Sequence, residues 1–287
     1  MLIDLKYHLT SLVAVFLALA VGMLVGSSYI ASSSLTGLER EFASLRVENR
    51  QNRKTIEALR EELEKHKEFG SSAAPFLVDN LLRFYRVAII QTGDYEDAAQ
   101  RAKAILEKAG AEVISVTTVF DLTSKTAKHR ATNAVIALTG GNEPDPIGSV
   151  LETLAKCIAT GADSGAIDIL EENGLIAKVG QYNQRVTHVV LVGGCKVQHS
   201  KRPEKVDLVL IDKLTNFGVK SIVGVEPLVV GTSYIPLYHR KAVTTVDNID
   251  QYIGQVCLVY AIAGETGSFG VKSSADKVSP DFSRFLK

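Results

Sequence analysis

Residues 9–30 form a run of 22 residues without a single charge, LTSLVAVFLALAVGMLVGSSYI. At about 1.5 Å per residue a helix of that length spans roughly 33 Å, enough for a hydrocarbon core of about 30 Å. Buried helices of soluble proteins rarely run so long without a polar face. The apolar stretch of a cleaved signal peptide is usually about 7–15 residues, and no A-x-A site follows this one. The run therefore predicts an uncleaved transmembrane helix over 9–31, preceded by a short tail, residues 1–8. Gly22 and Gly26 give it a G-x-x-x-G face along which a second helix can approach closely. Asp4 and Lys6 flank one end, and Glu39, Arg40, Glu41 and Arg46 flank the other. This balance leans toward a cytoplasmic tail and an extracytoplasmic remainder at the cell membrane.

Immediately beyond the anchor the composition inverts. Of the 35 residues in 35–69, 16 are charged, eight of each sign. The apolar positions keep a seven-residue beat: Leu35, Phe42, Asn49, Ile56 and Leu63 at a, with Leu38, Leu45, Asn52, Leu59 and His66 at d. That is the seam of a coiled coil, and a solitary solvated helix would not need it. Glu41, Glu48 and Glu62 fall at g, and Arg46, Arg53 and Lys67 fall five residues later at e. In a parallel pair each g residue meets the next e residue of its partner, so all three pairs are opposite in sign. Asn49 at a is the type of buried polar residue that fixes register and two-strandedness. The seam thus predicts a parallel homodimeric stalk over 35–69.

Gly70, Ser71, Ser72, Ala73, Ala74 and Pro75 read as a hinge linker over 70–75. From 76 to 287 short β-runs alternate with helical patterns. Strands are expected at 87–91, 113–119, 134–138, 186–192, 221–225 and 242–246, and helices at 95–109, 147–159, 164–173, 204–217 and 250–263. In the last of these, Ile253, Val256, Cys257, Tyr260 and Ala261 follow the helical period, with Asp250 placed to cap the start and Gly264 the end. The alternation predicts an α/β domain with a doubly wound, mostly parallel sheet. Glycines at strand ends (Gly93, Gly140–Gly141, Gly193–Gly194, Gly224) border the edge where such sheets bind ligands.

The residue inventory excludes several functions. Thirty-two basic residues cancel thirty-two acidic ones, so nucleic-acid binding by phosphate neutralisation is not expected. Three separated cysteines, Cys157, Cys195 and Cys257, build neither a disulfide framework nor a Cys-rich metal site. There is no G-x-S-x-G, H-E-x-x-H or Walker A sequence, and Gly264-x-x-Gly267-x-x-Gly270 has the wrong spacing for a dinucleotide loop. Asp247, Asn248 and Asp250 read as turn and cap chemistry, and His188, inside VTHVVLV, as a hydrogen-bonded core histidine. No catalytic residue is assigned, and the chain is read as a non-enzyme.

The opening YHLTSLVAVFLALAVGMLVGSS resembles the amino terminus of the mycobacterial copper-transport MctB family. The distal VDNIDQYIGQ…AGETGSFGVKSSA…P resembles the same family's carboxyl-terminal segment. The resemblance implies a role in copper homeostasis or efflux at the cell envelope, with copper as the associated metal and an extracytoplasmic domain. Soft ligands select Cu(I). Cys195 and His199 are the one close pair of such types, and they form the candidate metal site; Met1 and Met23 lie at the start and inside the anchor. A single apolar helix without ionisable residues offers no ion pathway of its own. The reading is a dimeric scaffold or adaptor with a cell-envelope protein partner. Its alternative is a ligand-sensing or enzymatic α/β domain with a site at the strand carboxyl ends.

Overall fold

In the computed structural model, α1 runs from Asp4 to Val78, 75 residues. The structure describes the backbone of residues 4–284 and the side chains of residues 6–27 and 40–283, so the side chains of Leu35 and Leu38 lie outside the described residues. The chain divides into two compact units, Met1–Lys65 and His66–Lys287.

In the first unit, Lys6–Ser27 is 22 residues long with a mean hydropathy of 2.4, long and apolar enough to cross a membrane. An apolar surface on every side of a helix, uncovered by protein, suits lipid rather than water. Farther along, Phe42, Leu45, Ile56, Leu59 and Leu63 are all exposed in the single chain.

The second unit begins with the last turns of α1, and here the hinge expectation is corrected: 70–75 is helical, with Pro75 inside the helix. Packing explains why the Gly-Ser-Ser run does not break it. Gly70 lies against Tyr252, where a Cβ would collide with the ring, and Ala74 and Val78 are buried. Pro75 stands only three residues before the end, so it removes a single helical hydrogen bond near the terminus. Tertiary burial outweighs local propensity.

The sheet that follows has seven strands: β1 (Arg86–Gln91), β2 (Glu112–Val119), β3 (Ile176–Gly180), β4 (His188–Val192), β5 (Ser221–Val225), β6 (Thr244–Val246) and β7 (Ser268–Phe269). Their spatial order is β3-β2-β1-β4-β5-β6-β7. All neighbours run parallel except β2 and β3. The central strands RVAIIQ and HVVLV are almost wholly buried, as parallel strands covered on both faces must be. One face is covered by α3 (Lys125–Thr139), α4 (Pro146–Thr160), α5 (Ser164–Glu172) and α6 (Leu208–Asn216), through Val135, Leu151, Leu154, Ile167, Leu170 and Leu214. The other is covered by the end of α1, α2 (Glu96–Lys108) and α8 (Tyr252–Ile262), through Val78, Ala102, Leu106, Val256 and Val259. A one-turn helix, α7 (Ile235–Tyr238), sits between β5 and β6.

Three expectations are corrected. Residues 134–138 belong to helix α3, with Ala127, Ala131, Ala134 and Val135 buried at helical spacing. The Ser124 hydroxyl caps its start, and Gly140, at φ 74°, ends it, so this glycine is a helix cap and not a strand end. Asp250 does not cap α8: its carboxylate accepts from the Leu228 N–H, and Gln251 takes the cap position. The helix expected at 204–217 opens as a π-helical turn, Pro203–Asp207, before α6.

Candidate functional site

The strand order reverses direction between β1 and β4, and in open α/β sheets the ligand crevice lies outside the carboxyl ends at that reversal. Here the two loops are zipped together. The N–H groups of Thr92 and Gly93 both donate to Val192 O, and Asp94 N–H donates to Gly194 O at 3.0 Å. The approach requires glycine at 93, where a Cβ would run into the carbonyls of Gly193 and Gly194.

Asp94 is the hub of the closed crevice. Its carboxylate accepts the Cys195 thiol at 2.9 Å, the Lys196 N–H at 3.0 Å and Arg202 Nη1 at 3.0 Å. Arg202 also donates Nη2 to Val119 O at 2.6 Å, so its guanidinium ties the end of β2 to Asp94 after β1, and Asp94 in turn holds the segment after β4. Burial pushes the Asp94 carboxyl up, but the Cys195 and Lys196 hydrogen bonds and the Arg202 charge outweigh it and hold Asp94 below the usual carboxylate value. The same contact works against the thiol. Burial and the hydrogen bond to Asp94 push Cys195 up, so it remains a protonated donor.

Behind this hub lies Asp207, fully buried at the end of the π-helical turn. Its Oδ1 accepts Thr92 Oγ1 at 2.5 Å and Tyr238 OH at 2.6 Å. Burial pushes its carboxyl up to about 6, against the opposing pull of those hydrogen bonds and of Arg202. Three buried atoms here have no protein partner: Asp207 Oδ2, Arg202 Nε and Tyr234 OH.

Farther along the edge, the carboxylates are taken up by their own chain. Glu226, after β5, is fully buried and accepts from Ser233 Oγ, Tyr234 N–H and Lys272 Nζ. Asp247, after β6, accepts the N–H groups of Val271 and Lys272, which fastens the distal segment to the sheet. A phosphate would meet Glu96 and Asp97 in the first turn of α2, charges that oppose an anion at a helix N-terminus.

The candidate metal pair is separated by environment. Cys195 is buried in the hub, whereas His199 is exposed on the following loop, at φ 55°. Among the described residues no three His, Cys, Asp or Glu side chains group closely enough to hold a metal ion. Cys157 and Cys257 are buried, and burial pushes their thiols up to about 11 and about 12. Metal binding needs the thiolate, so this donor set does not fit a resident copper centre. His188 is half-buried, bonded through Nδ1 to Thr187 Oγ1 at 2.8 Å and tilted against Tyr85.

Sequence reasoning missed Asp94, Arg202, Asp207, Tyr234, Tyr238, Glu226 and Lys272 as one network. Glycines at 93 and 193–194 pointed to this edge; the charged partners arrive from distant segments that carry no local motif.

The family model described as "Copper transport outer membrane protein, MctB" matches residues 2–280. Two relatives named "Copper transporter MctB", from Mycobacterium bovis (strain ATCC BAA-935 / AF2122/97) and Mycobacterium tuberculosis (strain ATCC 25618 / H37Rv), are each 28% identical over 165 residues. The aligned part is 57% of this chain and 51% of each relative, so the chain spans about half the length of the relatives it matches. With a family match running almost end to end, the chain belongs to the copper transport outer membrane protein family MctB.

Proposed function

We propose that the protein is a membrane-anchored, non-enzymatic member of its family that serves copper homeostasis at the cell envelope as a dimeric scaffold or adaptor. The observation that carries this reading is the uncovered seam of α1: Phe42, Leu45, Ile56, Leu59 and Leu63 recur at heptad spacing and stay exposed in one chain. A second copy in parallel covers them and pairs Glu41, Glu48 and Glu62 with Arg46, Arg53 and Lys67. Gly22 and Gly26, which have open space where a Cβ would stand, let the anchors pack side by side. The α/β units then stand in the extracytoplasmic space and present surfaces to an envelope protein. The carboxyl edge supports a non-catalytic role, because Asp94, Glu226 and Asp247 are engaged by the chain's own donors.

Copper titration of the reduced full chain in detergent, with Cu(I) and with Cu(II), tests the division of labour. At most weak binding is expected, removed largely by Cys195→Ser. Tight binding that survives loss of both Cys195 and His199 would overturn the adaptor reading in favour of direct metal carriage.

A further inference from the structure

Three carboxylates lie in the field of one guanidinium behind the carboxyl edge: Arg202 is bonded to Asp94 and acts by charge on Asp207 and Asp121. Arg202 spends Nη1 on Asp94 and Nη2 on Val119 O, leaving its buried Nε without a partner. Asp207 spends Oδ1 on Thr92 and Tyr238, leaving its buried Oδ2 without a partner. Unpaired buried polar atoms are rare in folded proteins, and this pair is complementary: a free donor and a free acceptor. Arg202's charge is already felt at Asp207. The connecting segment is the π-helical turn Pro203–Asp207, a geometry that concentrates at functional positions in helices.

The groups around Asp207 are few. Thr92, at the end of β1, Tyr238, in α7, and Arg202, from its own segment, act on Asp207 itself; Tyr234 feels Asp207, Asp94 and Cys195, Tyr238 feels Glu226, and Asp121, after β2, faces Arg202 and Asp94. Of these only Arg202 brings a positive charge. Glu226 is committed to Lys272, and burial pushes both tyrosines far above neutral pH.

We propose that Arg202 is a proton-controlled bridge, held on Asp94 while Asp207 is protonated and drawn through its free Nε onto Asp207 Oδ2 when that carboxyl loses its proton to solvent. Ionisation turns Arg202 inward and weakens the hub in which Asp94 holds the Cys195 thiol and the Lys196 N–H. The loop of residues 193–202 then loses its ties to the Asp94 carboxylate at the mouth of the crevice and is held by those to Thr232 on its other side. Burial places the titration of Asp207 near pH 6, so mild acid closes this loop and neutral pH opens it.

Hydrogen exchange of the full chain in detergent, read on the peptide covering 193–202 and corrected for the intrinsic pH dependence of amide exchange, tests the bridge. The wild type is expected to lose protection by about tenfold on going from about pH 5 to about pH 7.5. Asp207→Asn is expected to abolish the transition. Thr92→Val, which removes a donor favouring the ionised form, is expected to move its midpoint upward, and it serves should Asp207→Asn not fold. A flat wild-type profile, the same transition in Asp207→Asn, or an unmoved midpoint in Thr92→Val would overturn the proposal.

Discussion

Leucine and isoleucine stand in opposite circumstances in the two units. On α1, Ile56, Leu59 and Leu63 are 48%, 58% and 50% exposed; around the sheet, Ile89, Leu151 and Leu154 are at 0%. The residue types match, and what differs is the period in which they are written. In the α/β unit, strand runs and helical stripes converge on two internal faces, so one chain satisfies them. On α1 the seven-residue period makes a narrow stripe that stays exposed among the described residues, and the proposed second copy is what would cover it. The comparison separates what this sequence buries within one chain from what it leaves exposed.

The largest expected effect comes from charging the stripe. Ile56→Asp with Leu59→Asp would remove four side chains that the proposed dimer buries, each worth about 1.5–3 kcal/mol. The full chain in detergent is expected to pass from dimer to monomer by light scattering, with association weakened at least about a thousandfold. The α/β unit keeps its fold, read by its unchanged circular dichroism.

Truncating one leucine in each unit sharpens the contrast. Leu154→Ala, inside the core between α4 and the sheet, is expected to cost about 2–5 kcal/mol at any protein concentration. Leu63→Ala is expected to lower the melting temperature only in step with dimer dissociation. A concentration-independent loss at Leu63 would mean that the stripe is covered within one chain.

A smaller effect is confined to the body. Asp207 titrates near 6 in the fold against 3.8 ordinarily, so the folded state holds a proton that the unfolded state releases. Its contribution is complete below about pH 4 and is lost as pH rises through about 6, on the order of 3 kcal/mol in all. Asp207→Asn should therefore change melting little at pH 4 and raise it by several degrees at pH 7.5 relative to wild type. Altered stability of the same sign and size at both pH values would show that the group acts through packing alone.

Much of the body was legible because its signals are local. Ser221–Val225 falls where its apolar run lies, and the core strands β1 and β4 differ from expectation only at their ends. Helix α3 was misread because AVIAL, taken alone, suits a buried strand as well as a buried helix; the helical period shows only when Ala127 and Ala131 are included. Strand β3 was invisible for a related reason: IAKVG is short, carries a lysine and lies on the sheet's antiparallel edge. The linker at 70–75 has breaker composition, yet burial of Ala74 and Val78 keeps it helical, and no local rule contains that information. The polar hub was the least legible. Asp94, Cys195, Arg202 and Asp207 are brought together by the strand order β2-β1-β4, so their shared chemistry exists only after folding. The apolar run was plainest of all: Lys6–Ser27 is a helix long and apolar enough to cross a membrane, and length and apolarity are read directly from the residues.

Single-cysteine cross-linking in native membranes tests the proposed parallel, in-register pairing most directly. The natural cysteines Cys157, Cys195 and Cys257 are all buried and leave the surface of α1 free for this probe. Ile56→Cys occupies an a position of the seam, and Lys54→Cys lies on the outer face, at f. Mild oxidation is expected to convert most of the Ile56→Cys protein to a covalent dimer while Lys54→Cys stays monomeric. Equal cross-linking at both positions, or none at Ile56→Cys, would contradict the dimer on which the proposed function rests.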